Sequence, residues 1–262
     1  MHRYRQIEYR TQRSIEVIKC IPPGYRGGEA RGEKRQPKTR EEMQRANMQQ
    51  AARKLARKIN ANFGPGDYHL ILTYRLGIGK KEAQRRLTHF LTALRKLYRK
   101  SAEELKYIAV TEYQNKRIHH HLIINNTGLK GRTVPGAVRA LWKENGSVKF
   151  IPLYDSGEYS ELASYLIKET EKTFREKDSP VKQRYSCSRN LVTPVPEIRD
   201  KEVRTAWKER PRPRPGYYLK PESLYNGRDR MGYRYQRYIL IRLSPDGTEW
   251  EEGWQYEEFW PD

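Results

Sequence analysis

The chain has 262 residues, 53 Lys and Arg against 32 Asp and Glu, and a net charge of +21. A charge of that size selects a polyanionic partner, either nucleic acid or an anionic membrane. No apolar run approaches the length of a membrane span, and Met1-His2-Arg3-Tyr4-Arg5 does not open a signal peptide. Nineteen tyrosines spread among the basic residues suit stacking on bases, so nucleic acid is the expected partner and no membrane is. Cys20 and Cys187 are too few for a disulfide framework and lack zinc-site spacing, which fits a reducing cytoplasm.

Taken in order, residues 1–38 read as a short strand near Ile15–Cys20 within a basic arm broken by Pro22-Pro23-Gly24 and Gly27-Gly28. Thr39, with Glu42 three residues on, forms a capping box and starts a helix that Gly64-Pro65-Gly66 ends. Tyr68–Tyr74 is a compact strand. A helix with Ala83, Leu87, Phe90, Leu91, Leu94 and Leu97 on one stripe follows over about 80–99. Tyr107–Tyr113 and 117–125 are strands close enough to form a hairpin. A short helix over 135–143, a strand over 147–153 and a helix over 160–174 complete the pattern.

This order, β-α-β-β-α-β plus a helix, predicts an α+β fold: a ferredoxin-like antiparallel sheet backed by helices. The expected organisation is a basic arm and helix over 1–66, the central domain over 67–176, and a strand-rich extension over 177–262. In that extension Pro211-Arg212-Pro213-Arg214-Pro215 reads as a stiff basic linker, suited to tracking a phosphate backbone nonspecifically. Residues 231–243 alternate as a strand, and 248–254 read as its hairpin return. From Ser244 onward there are seven acidic residues and no Lys or Arg, leaving 53 basic against 25 acidic residues before it.

The chemistry centres on His119-His120-His121, which holds half of the six histidines. In a strand His119 and His121 share a face, about 7 Å apart, while His120 points the other way. If Asn115-Lys116 is a two-residue hairpin loop, Glu112 falls opposite His119 and joins that face. Two imidazoles and a carboxylate make a workable divalent-metal site with room for a phosphate oxygen. A one-residue slip would send Glu112 to the far face. Tyr165 and Lys168 are three apart, hence neighbours on one helix. A phenol ordinarily titrates near 10, and an ammonium or a metal beside it favours the nucleophilic phenolate.

In order and spacing, the strand ending Thr73-Tyr74, His119-x-His121 and Tyr165-x-x-Lys168 resemble the HUH endonucleases. More narrowly, the chain resembles single-tyrosine initiators of rolling-circle replication from bacterial plasmids and phage-like elements. Tyr185–Leu191 also looks like a segment of that group, and the resemblance spans about 45–195. Two departures stand out: His120 occupies a position where a bulky apolar residue is usual, and positions 161 and 169, one helical turn from Tyr165, are both Glu. The resemblance implies a nick in single-stranded DNA at a replication origin, with Tyr165 joined to the 5′-phosphate and a 3′-OH released. It further implies Mg²⁺ or Mn²⁺ on His119, His121 and Glu112, with Lys168 assisting. Arg75, Arg117, Lys172, Arg184 and Arg189 are candidate phosphate contacts. With no phosphate-binding loop in the sequence, a host helicase and polymerase are the expected partners. The alternatives are a relaxase or single-tyrosine transposase using the same chemistry, a metal-dependent hydrolase using water, or a noncatalytic nucleic-acid-binding protein.

Overall fold

The computed structural model describes residues 2–22, 39–113, 118–171, 183–204, 207–229 and 231–250. The elements in chain order are β1 (His2–Arg10), β2 (Ser14–Cys20), α1 (Arg40–Asn62), β3 (Tyr68–Thr73), α2 (Lys80–Lys100), β4 (Tyr107–Glu112) and β5 (His119–Ile124). They continue with α3 (Val134–Trp142), β6 (Val148–Pro152), α4 (Ser160–Glu171), β7 (Ser186–Cys187), β8 (Glu197–Val203), β9 (Tyr217–Leu219), β10 (Tyr225–Arg228) and β11 (Arg234–Arg242). They divide into two compact units, each with its own antiparallel sheet.

The central unit runs over 48–155 and 159–192. Its sheet has the order β6-β3-β5-β4-β7, so β3, α2, β4, β5, α3 and β6 trace the expected ferredoxin-like path. Strand alternation sends Leu70, Leu72, Leu122, Ile124 and Ala109 to one face, where the apolar stripes of α2 and α3 cover them. The opposite face carries Ile108, Val110 and Ile123. It is packed by Leu55 and Ile59 of α1 and by Leu162, Leu166 and Ile167 of α4. Each such side chain removed from water contributes about 1.5–3 kcal/mol, so the two helix layers are what hold the sheet. The capping box at the start of α1 is present: Glu42 N donates to Thr39 Oγ1 at 3.1 Å, and Thr39 N donates to Glu42 Oε2 at 3.0 Å.

The end of β3 is fixed from the turn after α3. Trp142 Nε1 donates to the Thr73 carbonyl at 2.9 Å, and Thr73 N donates to the Ser147 carbonyl at 3.0 Å. Gly146 lies so close beneath Thr73 that a Cβ there would run into the Thr73 carbonyl, a backbone group with nowhere to move. Gly146→Ala is therefore expected to cost about 1–3 kcal/mol through overpacking, read as a lower denaturation midpoint with an unchanged m-value.

The second unit contains residues 1–47, 156–158 and 193–253. The strand order is β10-β11-β2-β1-β8, with β9 also pairing β11. Strands from the two ends of the chain thus build one sheet, where separate N- and C-terminal segments were expected. β1 had no sequence signal because its inward positions are Tyr4, Gln6 and Glu8, two of them polar. The polar pair is satisfied from the Arg-Pro stretch: Arg214 donates to buried Glu8, as do Gln6 and Arg10. That stretch is not the free linker its sequence suggests. Pro211 is buried, and Arg214 is committed to a carboxylate rather than available to phosphate. The strand at 231–243 is present as β11, whereas residues 248–250 form no strand and the rest of that return lies outside the described residues.

Candidate active site on the β4–β5 hairpin

β4 and β5 pair in the register that the two-residue loop requires: Glu112 opposite His119, Thr111 opposite His120 and Val110 opposite His121. The loop at 114–117 lies outside the described residues. Glu112 and His121 are both buried, and His121 Nε2 stands 3.2 Å from Glu112 Oε2. His119 shares their face and is half-buried. Burial pushes the Glu112 carboxyl up, but His121, a hydrogen bond with Glu169 and the charge of His119 together bring it below the usual carboxylate range.

His120 points to the opposite face, as expected of the residue between two ligands. It is fully buried beside Trp142, with Nε2 2.8 Å from Tyr74 Oη and Nδ1 3.0 Å from Thr111 Oγ1. Tyr74 Oη itself donates to the Ala83 carbonyl at 3.1 Å. The consistent assignment is therefore a neutral ring with Nε2–H donating to Tyr74 and Nδ1 accepting from Thr111. Burial, then the charges of His121 and His119, lower its pKa to about 3.

α4 brings Tyr165 to the site. Its ring meets the His121 ring edge-on, with centroids 5.5 Å apart at 80°. The helix buries Leu162, Ala163, Leu166 and Ile167 against the sheet and leaves Ser164 and Lys168 exposed, so Tyr165, half-buried, sits at the boundary. Lys168 stands on the solvent side of this helix. Glu169, one turn after Tyr165, reaches Glu112.

Two of these residues carry no signal in the sequence strong enough to single them out. His69 on β3 is fully buried, with Nε2 3.2 Å from His121 Nδ1. It lies within an apolar strand, and only the strand order, which seats β3 against β5, reveals that it faces the histidine cluster. Glu169 had one clue, its four-residue spacing from Tyr165 on a helix.

The candidate phosphate contacts scatter. Arg75 follows Thr73, the residue paired with His119, but its Nη2 donates to the Lys143 carbonyl at 3.0 Å. Arg184 is half-buried, two residues ahead of β7. Arg189 lines a cleft of about 570 Å³ with Arg95, Arg99, Tyr107 and Asn190. That cleft lies at the start of β4, about 17 Å along the strand from Glu112. Arg117 and Lys172 fall outside the described residues.

Among the described residues no three His, Cys, Asp or Glu side chains converge into a finished ion site. The donor set nevertheless fits a divalent cation. Two adjacent ligands, each about 2.1 Å from one ion, stand about 3 Å apart, close to the separation of His121 Nε2 and Glu112 Oε2.

Residues 67–174 match the family model of the replication-associated protein ORF2. The matched stretch starts just ahead of β3 and extends past α4, and it contains Glu112, the three histidines and Tyr165. The similarity is to a family associated with DNA replication. No curated protein and no solved structure matches the chain. Among the described residues, no helix is long and apolar enough to cross a membrane.

Proposed function

We propose that this chain is a site-specific endonuclease and strand-transferase of single-stranded DNA that initiates rolling-circle replication. The observation that carries the reading is the meeting of Tyr165, His121 and Glu112 on one sheet face, inside the stretch that matches a replication-associated family. Tyr165 Oη attacks the scissile phosphorus, forming a P–O bond to the 5′-phosphate as the bond to the 3′-oxygen breaks. The phenol gives up its proton and the departing 3′-oxygen gains one, so the exchange is proton-neutral overall. One phosphodiester is replaced by another, and an incoming 3′-OH reverses the step without an external energy source.

Glu112, His119 and His121 would hold Mg²⁺ or Mn²⁺, which when bound polarises a phosphate oxygen and stabilises the charge that develops on it. Lys168, exposed beside Tyr165 in the helix, supplies a mobile positive charge to the phosphate or the phenolate. The cleft around Arg189 suits backbone contact away from the scissile bond. Arg189→Gln is expected to lower the slope of log K against log salt by about 0.7 while leaving low-salt cleavage in place. Host helicase and polymerase would extend the released 3′-OH.

The deciding experiment incubates the protein with a single-stranded oligonucleotide library and Mn²⁺ or Mg²⁺, with each DNA end labelled in turn. The expected result is a denaturation-resistant protein band carrying the 3′-label and a free, shortened 5′-labelled strand. Cleavage with no protein-linked band would reassign the reaction to water-based hydrolysis. Binding without cleavage would leave a nucleic-acid-binding protein and overturn the nuclease.

A further inference from the structure

We propose that His69 is a positioning residue that keeps the His121 Nε2 lone pair available to a divalent cation, by acting as donor and acceptor in turn at a single hydrogen bond. The inference rests on the ion site described above and adds a residue to it. His69 is two positions from Ile71, the direct partner of His121 across β3 and β5, so it is the diagonal neighbour on the same sheet face. The two rings lie 5.4 Å apart centre to centre and are inclined by only 28°, with His69 Nε2 3.2 Å from His121 Nδ1. The contact is therefore edge to edge and close to in-plane, as an N–H···N bond requires.

Both nitrogens of His121 are engaged, Nδ1 with His69 and Nε2 with Glu112. A neutral imidazole carries one proton, so the two contacts cannot be set independently. Without an ion, the Glu112 carboxylate can only accept, which places the proton on His121 Nε2. Nδ1 must then accept from His69 Nε2–H. With an ion on Nε2, the His121 proton has to reside on Nδ1, and His69 Nε2 has to accept. Each ring holds one proton in both states and only the tautomers exchange, so the pair satisfies either state without burying a net charge. A backbone carbonyl or a carboxylate in place of His69 would serve the loaded state alone. Imidazole, or an amide that can rotate, serves both.

Two readouts that do not depend on cleavage test this on the full-length protein. The first is ¹⁵N NMR of the histidine rings while Mg²⁺ is titrated. The expected result is that His121 and His69 exchange tautomers together; a His69 ring that keeps its tautomer while His121 changes overturns the proposal. The second is calorimetric Mn²⁺ binding, with folding of each variant checked by circular dichroism. His69→Leu is expected to weaken Mn²⁺ by about 10–100-fold, whereas His69→Gln stays within about threefold of the parent. Parent-like affinity in His69→Leu would refute the role of His69 and leave the ion site standing. A folded parent protein that binds no Mn²⁺ would instead remove the ion site itself, and the role of His69 with it.

Discussion

Tyr165→Phe is expected to abolish the covalent protein–DNA adduct and to lower strand cleavage by about 10⁴-fold or more, with DNA affinity little changed. The substitution removes one oxygen atom and keeps the ring that packs edge-on against His121, so the buried side of α4 should be undisturbed. Losing a nucleophile removes the covalent route altogether instead of weakening one contact, which is why the loss is steep. Denaturing gels with 3′-labelled substrate measure it directly. A variant that still cleaves at the parent rate would show that water, not Tyr165, attacks the phosphorus. Thermal unfolding of the variant, expected to match the parent, separates loss of chemistry from loss of fold.

Acidification should destabilise the central unit well above the pH at which carboxylates titrate. His120 is held neutral in the folded chain down to about pH 3, while in the unfolded chain it takes up a proton near 6.5. Between those values the unfolded state binds the extra proton, so stability is fully present above about pH 6.5 and falls as the pH drops. The expected loss is about 1.4 kcal/mol per pH unit for each such site once the pH is below 6.5. His69, whose pKa burial and then the charges of His121 and Lys149 also push well down, acts in the same direction. Urea midpoints measured from pH 7 to 5, above the carboxylate range, isolate the histidines. His120→Leu should lose stability at pH 7, because Thr111 and Tyr74 forfeit a partner, and should roughly halve the pH slope by removing one of two sites. A slope unchanged by His120→Leu would mean that other groups carry the acid sensitivity.

The central unit was legible because its elements are locally consistent. The capping box before α1, the apolar stripe of α2 and the two-residue loop that sets Glu112 against His119 are short-range signals, and each holds in the structure. Parity along a strand was enough to separate His120 from His119 and His121. His69 was hidden because its role depends on which strands are neighbours, and an apolar run such as Tyr68–Thr73 carries no record of its partner. The second sheet was hidden for a different reason. Its strands bury Gln6, Glu8, Lys19 and Gln236, so the alternation that marks a half-buried strand is absent. β8, Glu-Ile-Arg-Asp-Lys-Glu-Val, is an edge strand whose charges discourage pairing with another molecule and also disguise it as loop. Arg214 shows the cost of reading charge alone. A guanidinium in an Arg-Pro run resembles a ligand for DNA, yet the structure gives it to an internal carboxylate.

The interleaving of the two units imposes an order on synthesis. β1 and β2 leave the ribosome first, but their flanking strands begin only at Glu197 and Arg234, after the whole ferredoxin-like sheet has been made. A lone two-stranded ribbon is marginal in water, so the opening segment must wait, largely unstructured, while the central unit folds from contiguous chain. The terminal sheet then closes last and in one step, across the longest loop in the molecule. A nascent or prematurely terminated product would thus carry a finished central unit attached to unpaired, basic strand edges. Such a product is prone to aggregation, and proteolysis should trim it back towards residues 48–192.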